Sequence, residues 1–218
     1  KDNLYSKDKI KLNKIIKNVY TDLNEVKNTF HILSKKFNLE FKKSNLKKFN
    51  KYQTVVLIGM GGSVLGTQAI YTFLKQGIKK KFIFFDNLDL IKIKNIKKSV
   101  NLKQSLIIII SKSGSTLETL VNSNLLKDEL NNKNTIIITE KKTNLLNTFA
   151  RKKKILHINH KDYIGGRYSV LSEVGMIPAY FMGLKIDHLR KDIQDYFKPK
   201  EKNLLLDSVI KLSHIYRN

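Results

Sequence analysis

Five short runs of β-branched and aromatic residues, at 54–58, 81–85, 105–110, 135–139 and 154–158, set the kind of fold open to this chain. They are apolar nearly throughout rather than alternating with polar residues, which is the pattern of strands covered on both faces. Helical patterns lie between them, near 63–75, 90–97, 116–130 and 144–150. Alternation of this kind builds βαβ units. The expectation is an α/β fold, a five-stranded parallel sheet sandwiched by helices, whose ligands sit beyond the carboxyl ends of the strands.

The flanks read differently. Over residues 6–35 apolar side chains from Ile10 to Leu33 recur at three- and four-residue steps, giving an amphipathic helix with a possible break near 20–22. Residues 36–51 are Lys- and Asn-rich and read as a connector. An apolar helix is expected over 174–182, and beyond Asp187 the chain is again amphipathic, with Pro199 splitting it. The expected domains are a helical arm and connector (1–50), the α/β domain (51–183) and a helical connector toward a further domain (184–218).

Three strand-to-helix loops carry chemistry. The third strand opens into SKSGSTLET, where Ser111, Ser113, Ser115 and Thr116 offer hydroxyls, Lys112 a charge, and Gly114 room for a ligand at a helix start. That composition outlines a phosphate cradle. Ser115 and Glu118 also fit a capping box, the bland alternative, which leaves the other polar residues unexplained. The first strand runs into GMGGSVLG. A dinucleotide fingerprint would need its third glycine where Val64 stands, and a P-loop would need a Lys-Ser/Thr pair after Gly66. The turn still presents Gly62 and Ser63 to an anion or a sugar hydroxyl. After the fifth strand comes GGRYSVLSEVG, with Arg167 beside Gly165 and Gly166 at the ligand edge, where a guanidinium meets oxyanions.

Composition narrows the rest. The net charge of +24 raises nucleic acid as a partner. However, the basic residues are almost all Lys, with only Arg151, Arg167, Arg190 and Arg217 besides, and they are spread over the chain with Asn and Ile as an AT-rich coding sequence would give. No basic cluster is interleaved with aromatics, so a nucleic-acid partner is not expected. There is no Cys, which excludes thiol chemistry and fits a reducing cytoplasm. No apolar run approaches the ~20 residues of a membrane span, so a soluble, cytoplasmic protein is expected.

Together GMGGSVLG, SKSGSTLET and GGRYSVLSEVG, with Asn87 and Asp89 after the second strand, resemble the glucose-6-phosphate isomerase family over about residues 54–183. The resemblance implies a sugar isomerase domain, flavodoxin-like in topology. It also implies interconversion of glucose 6-phosphate and fructose 6-phosphate through a cis-enediol(ate), without metal or cofactor. Carried over, Ser111, Lys112, Ser113, Ser115 and Thr116 hold the phosphate with Gly114 giving backbone room, Gly62 and Ser63 contact the sugar, and Arg167, beside Gly166, stabilises the enediolate. SGS stands where many members carry Thr and an aromatic, a variant closer to the wider group of sugar isomerase domains. A bifunctional phosphoglucose/phosphomannose isomerase and a non-catalytic sugar-phosphate sensor therefore remain alternatives. The family's proton-transferring Glu, ring-opening His and further Lys all follow the GGR motif by a long interval. Glu173, Glu201 and His160 match none of them. The expectation is an N-terminal piece of a homodimeric enzyme, inactive alone.

Overall fold

The computed structural model describes residues 2–197 and 199–217, and the chain divides into two compact units. One comprises Leu39–Ile186; the other joins the residues up to Asn38 with those from Asp187 onward.

The helices are α1 (Asp2–Asp22), α2 (Lys43–Leu46), α3 (Leu65–Leu74), α4 (Leu90–Ser99), α5 (Leu117–Leu125), α6 (Leu145–Lys152), α7 (Glu173–Phe181), α8 (Ile186–Arg190) and α9 (Pro199–Arg217). The strands are β1 (Thr54–Ile58), β2 (Lys81–Phe85), β3 (Leu106–Ile110), β4 (Thr135–Thr139) and β5 (Leu156–Asn159). All five pair in parallel in the order β2-β1-β3-β4-β5, so the direction of winding reverses between β1 and β3, the position where such sheets bind ligands.

Every residue of β3 and of β4 is buried because helices cover both faces. On one face Val55, Leu57, Ile108, Ile110 and Ile138 pack with Leu46, Phe49 and Phe181. On the other Val56, Ile58, Ile107, Ile109 and Ile137 pack with Ile93 of α4 and Leu146 of α6. Each such side chain contributes roughly 1.5–3 kcal/mol on burial, which makes the sheet a rigid platform for the loops at its carboxyl edge.

The expected strands stand within two residues of where the sequence puts them. The stretch 36–51 does not behave as a plain connector, since α2 and the 3-10 turn Lys47–Phe49 place Leu46 and Phe49 wholly inside the core. In the other unit the N-terminal arm breaks after Asp22, as its periodicity suggested, and continues as a 3-10 turn at Thr29–Leu33. Pro199 begins α9, where its fixed φ and missing N–H are tolerated. His214 of α9 meets Asp8 of α1 at 3.1 Å.

Candidate active site at the carboxyl edge

The turn that follows β3 is built around Ser111. Its side chain is buried at 1% exposure; its hydroxyl lies 2.9 Å from the Thr116 hydroxyl and accepts the Gly114 N–H at 3.2 Å. Ser111 thus shapes the turn from inside, while Ser113 and Ser115 are exposed and linked to each other, the Ser115 hydroxyl donating to Ser113 at 3.1 Å. Gly114 has φ +67, and a methyl group there would run into the Asn144 carboxamide. Only glycine meets both conditions. The N-cap of α5 is Thr116, and its hydroxyl makes no capping bond. The capping-box reading of Ser115 and Glu118 therefore fails, and the first amides of α5 are left without a side-chain cap at the end of the helix that attracts anions.

Lys112 points elsewhere. Its ammonium donates to the Asp162 carbonyl at 2.5 Å and lies 3.9 Å from Glu140, joining the serine turn to the loop that leads into Gly166 and Arg167. That segment, Gly166–Leu171, is a 3-10 turn. Arg167 is exposed, and no partner of its guanidinium is found among the described residues. Neither Gly165 nor Gly166 has a positive φ, so neither is glycine for the sake of a left-handed backbone.

The tight packing comes from other glycines. A methyl on Gly62 would lie 2.7 Å from the Arg167 nitrogen and closer still to the Gly166 carbonyl; one on Gly66 would meet the Val170 side chain at 2.6 Å; one on Gly175 would press into the Val170 carbonyl. The Ser169 hydroxyl donates to the Gly166 carbonyl at 2.6 Å and reaches the Gly62 carbonyl at 3.4 Å. The Arg167 turn is clamped between the loop after β1 and the first turn of α7. Sequence reading missed Gly66 and Gly175 in this role, because their neighbour Val170 is distant in the chain; the close run of glycines around each loop was the available signal.

Several other polar residues near this edge have partners within the fold. Asp86 accepts from Gln68 at 2.7 Å and from Lys92 at 3.1 Å; burial opposes its ionisation, but these bonds outweigh that and hold its carboxyl below the usual range. Asp89 caps α4, and the Asn87 carbonyl accepts from Asn122. His160 is buried with Nδ1 3.0 Å from the Lys161 carbonyl, and burial pushes its pKa down, as does the nearby Lys112 charge. Glu173 is wholly buried, and desolvation pushes its carboxyl up. Among the described residues no cluster of His, Cys, Asp or Glu suits a metal ion, and no helix is long and apolar enough to cross a membrane.

Gly62 and Ser63, the serine turn and Arg167 thus lie on loops that all leave the carboxyl ends of the strands and are tied to one another. The profile of the family described as phosphoglucose isomerase matches residues 6–191. The glucose-6-phosphate isomerase of Methanocaldococcus jannaschii is 38% identical over 157 residues, 70% of this chain and 38% of that protein. That of Acholeplasma laidlawii is 36% identical over 155 residues, 66% of this chain and 37% of its own length. Among solved structures, a hypothetical protein of Thermus thermophilus superposes with a TM-score of 0.79 at 24% identity, covering 99% of this chain and 55% of that one, a likeness of fold. A glucose-6-phosphate isomerase from Chlamydia trachomatis gives 0.59 at 27% identity over 70% of this chain and 30% of its own. The chain spans well under half the length of the curated relatives it matches. With the matching profile spanning most of its residues, the chain belongs to the phosphoglucose isomerase family.

Proposed function

We infer that this chain contributes the phosphate-gripping and charge-stabilising part of an aldose–ketose isomerase acting on glucose 6-phosphate and fructose 6-phosphate, an enzyme of glycolysis and gluconeogenesis in the cytoplasm. The phosphate sits at the uncapped start of α5, held by amides and by the Ser113, Ser115 and Thr116 hydroxyls, with Ser111 keeping that turn in shape. Gly62 and Ser63 meet the sugar hydroxyls. Arg167 faces the reacting carbons. A base removes the proton from C2, the electron pair forms the cis-enediolate, and the proton returns to C1 as the carbonyl moves to C2. Charge accumulates on the sugar oxygens in that intermediate, and a preorganised donor aimed at such an oxyanion is worth on the order of 3 kcal/mol.

One observation carries this reading: the Arg167 turn packs directly on Gly62, at the same edge as an α5 start whose amides no side chain caps. The base is proposed to come from outside these residues, because Glu173, the carboxyl nearest Arg167 downstream in sequence, is wholly enclosed. Leu65, Leu90, Leu117 and Leu145, each the first residue of its helix, are exposed by 58–67%. Helix starts follow the strand ends, so these leucines belong to the same edge, and exposed apolar groups gathered there suit a surface that another domain or the second subunit of a homodimer covers.

The test is a calorimetric or NMR titration of this chain with fructose 6-phosphate, with fructose and inorganic phosphate as controls. Saturable binding of the sugar phosphate, displaced by phosphate, is expected. Thr116→Ala should weaken it about 10- to 100-fold, the range for a hydrogen bond to a charged group. Equal affinity for fructose and fructose 6-phosphate would refute the assignment.

A further inference from the structure

The Arg167 turn has a base as well as a rim, and the base is ionic. Six residues before Arg167 stands Lys161, and six after it Glu173, the first residue of α7. The Lys161 ammonium lies 3.6 Å from Glu173 Oε1 and 3.2 Å from the Glu40 carboxylate. Glu173 Oε1 also accepts the Glu40 N–H at 2.6 Å, while its Oε2 is buried without a partner. One carboxyl therefore joins the strap around Glu40, the entry to the Arg167 loop and its exit. Glu173 has 0% exposure. Carboxylates are almost never fully buried unless paired, and a buried pair is as a rule no more stable than apolar residues of the same size. Its best-attested use is to fix one arrangement among several.

We propose that the Lys161–Glu173 pair is the positioning device for Arg167, closing the loop that presents the guanidinium so that it is held over the sugar rather than free to swing. Glu173 touches no substrate in this scheme; it acts through Lys161, the Glu40 backbone and the turn. Lys112, which donates to the carbonyl of Asp162, pins the next residue along from the side of the serine turn. The two contacts together fix the loop at adjacent residues. Among the described residues, the charged and titratable groups around Glu173 include Lys161, Glu40 and Tyr163; burial raises the Tyr163 pKa first, and the charges of Glu173 and Glu40 raise it further.

This inference rests on Arg167 serving the sugar, and its test separates the two. The chain is compared with Glu173→Gln and with the double variant Lys161→Met, Glu173→Leu, which replaces the pair by apolar groups. Three quantities are read: the unfolding midpoint, the affinities for inorganic phosphate and fructose 6-phosphate, and the Nε–Hε resonance of Arg167 by NMR. The double variant is expected to remain folded and to bind inorganic phosphate within twofold of the parent. It should lose about tenfold in fructose 6-phosphate affinity and show a broadened or split Arg167 resonance. Glu173→Gln, which keeps an acceptor for the Glu40 N–H, should restore part of the loss. If the double variant does not fold, Glu173→Gln alone decides, with a smaller loss in the same direction. An unchanged Arg167 resonance and an unchanged affinity ratio in the folded variants would overturn the proposal. If the parent itself binds no sugar phosphate, the functional reading fails, while the Arg167 resonance still tells whether the pair sets the turn.

Discussion

Replacing Gly62 by alanine would put a methyl group against the backbone that carries Arg167. The new carbon would start 2.7 Å from the Arg167 nitrogen and nearer to the Gly166 carbonyl oxygen, whereas carbon and backbone polar atoms meet comfortably at ~3.3 Å. The turn must therefore retreat by at least about 0.6 Å, and by somewhat more than ~1 Å to clear the carbonyl. Neither partner is a side-chain tip that could rotate away. Overpacking of this kind typically costs 1–3 kcal/mol, and a backbone clash belongs at ~3 kcal/mol. For a domain of this size that lowers the unfolding midpoint by roughly 6–12 °C. The sugar should suffer more than the phosphate, because the turn that is displaced carries Arg167, whereas the serine turn is held by its own bonds to Ser111. Calorimetric unfolding and titration with inorganic phosphate and fructose 6-phosphate measure both effects. Gly77→Ala is the control, since a methyl there meets nothing within 4 Å. A Gly62→Ala protein that melts with the control and keeps the full preference for the sugar phosphate would refute the clamp.

Gly114→Ala should abolish phosphate binding, because both φ +67 and the Asn144 carboxamide forbid the methyl; titration reads it, and retained affinity would contradict the cradle. Gly166→Ala, where a methyl meets nothing within 4 Å, should cost under about 0.5 kcal/mol of stability, and a larger loss by denaturant melting would show that this glycine is needed after all. The Glu173 carboxyl is raised above its usual value near 4.5, so the stability it contributes is full below that pH and is lost as pH rises through the higher folded value. The difference in unfolding free energy between the parent and Glu173→Gln, followed against pH, should fall on that rise, and a flat difference would exclude the linkage. Asp86, held low, should behave in the opposite sense: its stabilisation is present above the usual carboxylate range and disappears as pH falls through the lowered value, an effect removed by Asp86→Asn.

The inner strands were legible because they are apolar runs suited to a doubly covered sheet, and their loops were legible because hydroxyls, glycines and an arginine concentrate at strand ends. The stretch 36–51 was less so. Lys and Asn dominate it, and nothing local says that Leu46 and Phe49 find a core on the face of β1 and β3. The capping box failed for a related reason. Ser-x-x-Glu fits a helix start by spacing alone, but the start is fixed one residue later, where the Thr116 hydroxyl meets Ser111 instead of an amide of its own helix. The glycines of GGR take no positive φ, while Gly62, Gly66 and Gly175 are required by what presses on them.

By itself the sequence determined the α/β class, the order of strands and helices, and the three loops that hold the candidate chemistry, because period, β-branching and turn residues act over a few positions. Only the tertiary structure decided that Lys112 reaches Asp162, that Arg167 rides on Gly62, and that Glu173 and Lys161 close its loop. Those contacts join residues brought together by the stacking of parallel strands and their crossovers, and which side chains then share a buried space is a matter of packing between segments that no local pattern encodes.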